Sequence, residues 1–210
     1  MDTLLDKLKW RYATKKFDNS KKVSSENLNT LLEAARLTAS SYGLQPYHIY
    51  VIENVDIRTQ LRKASYDQPQ ITDASHIIVL VNKTTFDSTM IDDYIANIMA
   101  TRGLSKEDLE DFSQTMKSTL LDLPDTHKGA WTSNQAYIVL GNLMTIAAEM
   151  EIDTCPMEGF ENAKYNEILG LNNKGLNAAV VLAVGYRSPE DETQNYPKVR
   201  YSKEQIITHI

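Results

Sequence analysis

The stretch from 129 to 151 constrains the fold more than any other. It runs through AYIVLGNLMTIAAEM without a proline and is apolar on almost every side. A helix lying on a surface keeps a polar face towards water, so this one predicts a central, buried helix covered by other elements. The covering strands are legible too. LNAAVVLAVGY, 176 to 186, and HIIVLVN, 76 to 82, read as strands buried on both faces, and YHIYVIE, 47 to 53, alternates as a third. The longest apolar run, AAVVLAV at 178 to 184, has the length of a buried strand and is far too short to cross a bilayer.

Helices fill the intervals. Leu4, Leu5, Leu8 and Tyr12 give helical spacing over 3 to 12, and Ser24 caps a second helix with Leu28, Leu31, Leu32 and Ala35 on one side. Residues 56 to 66 predict a short amphipathic helix, and 161 to 169 another that ends at Gly170. From 87 to 121 the chain is charged and helical, broken at Arg102–Gly103 and restarted at Ser105, where SKED supplies a cap with acids in the first turn. No repeat, linker or boundary divides it, so residues 1–210 read as one α+β or α/β layered domain. The tail differs. Pro189 and Pro197 keep it extended, it has little core pattern, and it ends in EQIITHI, which suits a strand at a sheet edge. Such an arm, about 187–210, must lie on something, and a partner subunit is the candidate. The helix at 129 to 151 is apolar on more faces than one sheet covers, so part of it is expected to meet a symmetry mate.

Composition excludes several classes. With 42% hydrophobic residues in 210, the chain can bury a core without disulfides, and its one cysteine, Cys155, permits none within the chain. The start, MDTLLDKLKWRY, lacks a signal peptide's apolar run, which points to a soluble, cytoplasmic protein. Net charge is -6, yet residues 1 to 22 hold seven Lys/Arg against three Asp, while 87 to 125 hold nine Asp/Glu against three Lys/Arg. An acidic chain with one basic knot excludes a general nucleic-acid surface and fits a small anionic ligand held at one place. His48, His76, His127 and His209 lack metal-ligand spacing, so no metal site is expected; His76 and Cys155 read as core residues. The absence of GxSxG, P-loop and GxGxxG patterns argues against the common hydrolase, NTPase and Rossmann classes.

What remains is a set of loops rich in groups that bind phosphate, hydroxyls and a polar heterocycle. RYATK presents Arg11 and Lys15; ASSYGLQP, 39 to 46, presents hydroxyls beside a glycine; DQPQITDAS, 67 to 75, presents amides. CPMEGF, 155 to 160, reads as a turn with exposed N–H groups near Gly159, and PKVR places Lys198 and Arg200 on one side of an extended segment. Each alone reads as a solvated loop. Together they fall at the ends of predicted elements.

In order, RYATKKFD, SSYGLQPY, QITDASHIIVLV, CPMEGF and PKVR resemble the FMN-dependent NAD(P)H nitroreductase family, in its oxygen-insensitive, dihydropteridine-reductase-like branch, nearly end to end. The resemblance implies an α+β nitroreductase-like fold: a central mixed β-sheet between helices, with a C-terminal arm exchanged across a homodimer and FMN at the interface. It implies that Arg11, Lys198 and Arg200 hold the FMN phosphate, with Tyr12 and Ala13 lining the same strip. Lys15 then approaches the pyrimidine edge, where reduction leaves negative charge. Ser40, Ser41 and Gly43 reach the flavin from the second subunit. Pro156, Met157, Glu158 and Gly159 face the ring, with a backbone N–H aimed at N5; Glu158 orients that loop or the nicotinamide and is not assigned as a proton donor. Where the family often has Asn, this chain has Asp67, so Gln68 or Gln70 takes the hydrogen-bonding role. Tyr42 and Phe112 are the substrate-facing candidates.

The activity implied is ping-pong: hydride passes from NAD(P)H through FMN N5 to a nitroaromatic or quinone. The alternatives are a related flavoenzyme reducing enones, pteridines or free flavin, and an FMN-storage protein without turnover.

Overall fold

In the computed structural model, which describes residues 3–210, strands β1 (Tyr47–Ile52), β2 (His76–Lys83), β3 (Asp153–Met157) and β4 (Leu176–Gly185) form one sheet in the order β1-β2-β4-β3. All three ladders are antiparallel. The parallel component of the expected mixed sheet is a single bridge, Ala13 to Thr154, which lays the RYATK strip along the outer edge of β3. The helices are α1 (Leu4–Trp10), α2 (Ser25–Arg36), α3 (Val55–Lys63), α4 (Gln70–Asp73), α5 (Ser88–Arg102), α6 (Glu110–Leu120), α7 (Asp125–Glu149), α8 (Asn162–Ile168) and α9 (Lys203–Ile206).

The period-two alternation of the central strands decides the layering. Ile77, Val79, Val81, Val181 and Ala183 face a core shared with Leu61 of α3 and Tyr165 of α8. Ile78, Leu80, Val180, Leu182 and Val184 face Leu31 of α2 and Val139 and Leu143 of α7. β2 and β4 are therefore covered on both sides, as their unbroken apolar runs require. A third cluster joins α5 and α6 through Ile91, Ile95, Met116 and Leu120 beside the sheet. α5 stops at Gly103 (φ 68), a left-handed position that an L side chain rarely adopts, and the Ser105 cap follows as predicted. Gly185 ends β4 where a Cβ would stand 2.9 Å from both the Phe17 ring and the Ser75 nitrogen, so only glycine lets Phe17 close over the sheet.

Several boundaries differ from expectation. α7 begins at Asp125, directly after Pro124, rather than at 129, because a proline just before the first turn forfeits no helical hydrogen bond. It is central, as expected, but Tyr137, Ile138 and Gly141 remain exposed on one face. α1 stops at Trp10, short of Tyr12, and α3 stops at Lys63. CPMEGF is not wholly a turn, since its first three residues belong to β3. EQIITHI is not an edge strand. Ser202 and Gln205 form a capping box that starts the short α9, and 207–210 are irregular and exposed. Among the described residues, no helix is long and apolar enough to cross a membrane.

One buried cation holds the sheet's entry. Arg58 (6% exposed) donates to the carbonyls of Ile71, Thr72, Ala74 and Ser75, which α4 and the turn before β2 would otherwise leave unpaired. Arg58→Ala is expected to lower the unfolding free energy by about 3 kcal/mol or more, because three buried carbonyls and one part-buried carbonyl lose a charged donor. Urea denaturation measures this; a loss below about 1 kcal/mol would mean that water replaces the guanidinium.

Candidate functional site

The chain's two basic motifs meet. Arg11 terminates α1 in an extended conformation (ψ 144), and Tyr12 to Lys16 continue past the edge of β3. The C-terminal arm returns antiparallel to them: Phe17 bridges Arg187, and the Ser188 N–H donates to Lys16 O at 2.9 Å. The arm then carries Lys198 and Arg200 back over the strip. The Lys198 ammonium donates to Leu8 O at 2.9 Å and to Arg11 O. The result is a cleft of about 460 Å³ lined by Arg11, Tyr12, Ala13, Pro156, Lys198 and Arg200, with Lys9, Trp10, Met144 and Tyr196 at its walls.

Its electrostatics are unbalanced. Burial, reinforced by the charge of Arg200, holds the Arg11 guanidinium below its ordinary pKa. Burial, with Arg11 and Arg200 beside it, does the same to the Lys198 ammonium. Arg11 Nε is buried without a hydrogen-bond partner, as are Thr14 Oγ1 on the strip and Gln70 Oε1 at the start of α4. Of these, the Arg11 guanidinium N–H lines the cleft, and an unpartnered buried donor among mutually repelling cations is what a phosphate dianion would satisfy. A phosphate-bearing flavin therefore fits these residues.

Two groups that hold the strip were missed by the sequence analysis. Asp191, 1% exposed, accepts through Oδ2 from the Tyr12 hydroxyl at 2.9 Å and from the N–H groups of Lys15 and Lys16 at 2.8 and 3.1 Å. Burial alone would raise its pKa, but these donors hold it below the usual carboxylate value. The same contact and burial push the Tyr12 phenol well above its ordinary range, so that hydroxyl is committed to Asp191. Arg187 pairs with the buried Asp153 through Nε at 2.7 Å, and its guanidinium carbon lies 4.2 Å from the Trp10 ring centre and 4.6 Å from that of Tyr12. In sequence both read as surface charges in a polar tail; no local pattern marks their partners.

The other predicted residues divide. Lys15 is exposed, and its charge reaches Cys155, whose thiol burial pushes up. Gln68 donates to Gly159 O at 2.8 Å, and Glu158 accepts from the hydroxyl of Tyr137 on α7, so the turn after β3 is held from both sides. Burial, with that bond, raises the Tyr137 phenol to about 12. The Met157 side chain is buried in the core, leaving only its backbone towards a ligand. Asp67, flagged as a departure, is exposed with a left-handed backbone (φ 55). Ser40, Ser41 and Gly43 are absent from the walls of this cleft. They form a separate turn, where the Ser41 N–H donates to Gln135 Oε1 at 2.8 Å and Ser40 Oγ accepts from the Gln45 N–H at 3.0 Å. Tyr42 and Phe112 come together, ring centres 6.4 Å apart, against the α5–α6 cluster. Gln135 and Tyr137 were not foreseen either. Among the described residues, no three His, Cys, Asp or Glu side chains converge as metal ligands would.

The depressed pKa of Asp191 has a consequence for acid stability. Its contribution is fully present above the unfolded aspartate value of about 4 and is lost as pH falls through the lower folded value. Asp191→Asn is therefore expected to flatten the fall in stability below about pH 4, read as the urea midpoint against pH. Parallel profiles for the two proteins would contradict the assignment.

Comparison with known proteins follows from this geometry. Residues 8–186 match the Nitroreductase family. The chain is 36% identical over 213 residues to the major NAD(P)H-flavin oxidoreductase of Aliivibrio fischeri, spanning 98% of this chain and 97% of that protein. It is 35% identical over 228 residues to a provisionally named NAD(P)H nitroreductase of Staphylococcus epidermidis, spanning 99% and 97%. A crystal structure from Exiguobacterium sibiricum, determined in complex with FMN, superposes with a TM-score of 0.84 over 100% of this chain and 98% of that one, at 21% identity.

Proposed function

This chain belongs to the nitroreductase family, and we propose that it works as an FMN-dependent NAD(P)H oxidoreductase whose cofactor phosphate sits on Arg11, Lys198 and Arg200. That it is a flavin oxidoreductase using NAD(P)H follows from its relatives. The choice of FMN, its place and the acceptor class are our reading. One observation carries it: three cations gather in a 460 Å³ cleft where burial and mutual repulsion lower the pKa of two of them and a guanidinium nitrogen has no partner.

The chemistry that bound FMN supplies is a hydride relay at N5, from NAD(P)H to a nitroaromatic or quinone, with the two substrates taking turns. The chain's own residues supply the setting. Arg11, Lys198 and Arg200 bind the phosphate and register the cofactor along the strip. Lys15 on the strip, its backbone held by Asp191, offers a positive charge that stabilises negative charge developing there. Tyr137 and Gln68 hold the Glu158–Gly159 turn from two elements, which fixes the backbone N–H groups that face the ring in this reading. Tyr42 and Phe112 offer aromatic surface to a planar acceptor.

The spectrum of the purified protein tests the cofactor: a yellow protein that releases FMN on denaturation and bleaches with NADH or NADPH under anaerobic conditions. A colourless protein that takes up no FMN would refute the proposal. Lys198→Ala with Arg200→Ala should leave the fold intact and release FMN on dialysis, since each charged contact contributes roughly 1.5–3 kcal/mol. Full retention would remove both residues from the site.

We further propose that the 210 residues act as one domain in a homodimer, with the arm reaching the partner and Ser40, Ser41 and Gly43 completing the partner's site. The exposed Tyr137 and Ile138 on α7 support this, as do Val199, Tyr201, Ile206 and Ile207 on the arm. Within the arm, Arg187, Ser188, Asp191 and Lys198 are each held by their own chain, through Asp153, Lys16, the Lys15 and Lys16 N–H groups, and the Leu8 and Arg11 carbonyls, so the part left to reach the partner lies beyond 198. Deleting 202–210 should weaken both dimer and FMN retention, measured by sedimentation at micromolar concentration. A truncated dimer with undiminished FMN would defeat this.

A further inference from the structure

We propose that the Arg187–Asp191 turn is the positioning element of the phosphate clamp: the residues at its two ends grip Tyr12, Asp191 at the hydroxyl and Arg187 over the ring, and thereby aim Arg11 at the phosphate monoester of the cofactor. This deepens the function proposed above and rests on it.

The grip is visible atom by atom. Asp191 Oδ2 holds the Tyr12 hydroxyl, and the Arg187 guanidinium lies over the Tyr12 ring and the Trp10 ring. Arg11 stands between those two aromatic residues. With both neighbours fixed on Arg187, its side chain is directed into the cleft, where its Nε has no other partner. The Arg11 carbonyl meanwhile accepts from Lys198, so turning Arg11 would also displace the second phosphate ligand. The turn itself is braced. Asp153 accepts from Arg187 through both backbone and side chain, and Asp191 also takes the N–H groups of Lys15 and Lys16. A clamp built on a flexible strip would lose orientation with every rotamer change; this one is fixed by two buried carboxylates.

Positioning and bare electrostatics make opposite predictions. Asp191 is an anion close to the cation cluster, so on charge alone its removal should tighten phosphate binding. If it positions the clamp, removal should weaken binding. Arg187→Lys keeps the charge but loses the planar stack, so charge alone predicts no change. Riboflavin, which lacks the phosphate, reports any general loosening of the flavin site.

The experiment measures the affinities of FMN and riboflavin for the full-length, flavin-stripped protein by quenching of flavin fluorescence. Wild type should prefer FMN strongly. Asp191→Asn and Arg187→Lys should each weaken FMN about ten-fold, the loss of one charge-assisted contact, while riboflavin changes by less than about two-fold. Tyr12→Phe removes a single hydroxyl and should move in the same direction; it keeps the test open if Asp191→Asn does not fold. Unchanged or tighter FMN binding in the variants, or an equal loss for both flavins, overturns the positioning role while the clamp stands. A wild type that binds FMN and riboflavin alike removes the clamp itself, and this proposal with it.

Discussion

Like charges gathered in one cleft are the constraint around which the rest of the chain is arranged. Arg11 and Lys198 stand 187 positions apart in sequence, yet Lys198 donates to the Arg11 carbonyl, and Arg200 lines the same cleft. Repulsion among three cations, two of them partly desolvated, opposes folding unless something holds them. Backbone carbonyls accept hydrogen bonds from the Lys198 ammonium, a buried carboxylate at Asp191 fixes the strip, and a second at Asp153 fixes the arm. A site so arranged gains most from a ligand carrying concentrated negative charge.

The apolar layers serve this arrangement by providing rigid edges. β3 lies at the border of the sheet, and the RYATK strip joins its free side through one parallel bridge. α7 spans the opposite face and reaches two loops at once. Gln135 fixes the Ser40–Gly43 turn through the Ser41 N–H, and Tyr137, two residues on, fixes Glu158. A 25-residue helix packed along one side on the sheet is stiff, so two loops distant in sequence keep a constant relation to each other.

Much of the fold was legible because it rests on local periodicity. The three recognised strands, the central helix and the stop at Gly103 each followed from apolar spacing or from a backbone demand that one residue type meets. β3 was not legible. It is five residues long and contains Pro156, which suggests a turn; an edge strand tolerates proline because one side of its backbone carries no ladder. EQIITHI misled in the other sense: its β-branched residues fit a strand, but the Ser202 cap starts a helical turn and the segment joins no sheet.

The site divides along the same line. Arg11, Lys15, Lys198, Arg200 and the CPMEGF turn stood out in the sequence because their types and order form a pattern, and one cleft unites Arg11 with Lys198 and Arg200. The sequence by itself determined which residues carry charge, which segments must be buried, and therefore the layers. Only the tertiary structure decided which polar groups are spent on holding the site: Asp191 on Tyr12 and the strip, Arg187 on Asp153 and two aromatic rings, Tyr137 on Glu158. The physical reason is the range of the forces. Hydrophobic burial imprints a repeat on neighbouring residues, whereas a hydrogen bond or an ion pair needs only one partner, which can stand anywhere in the chain.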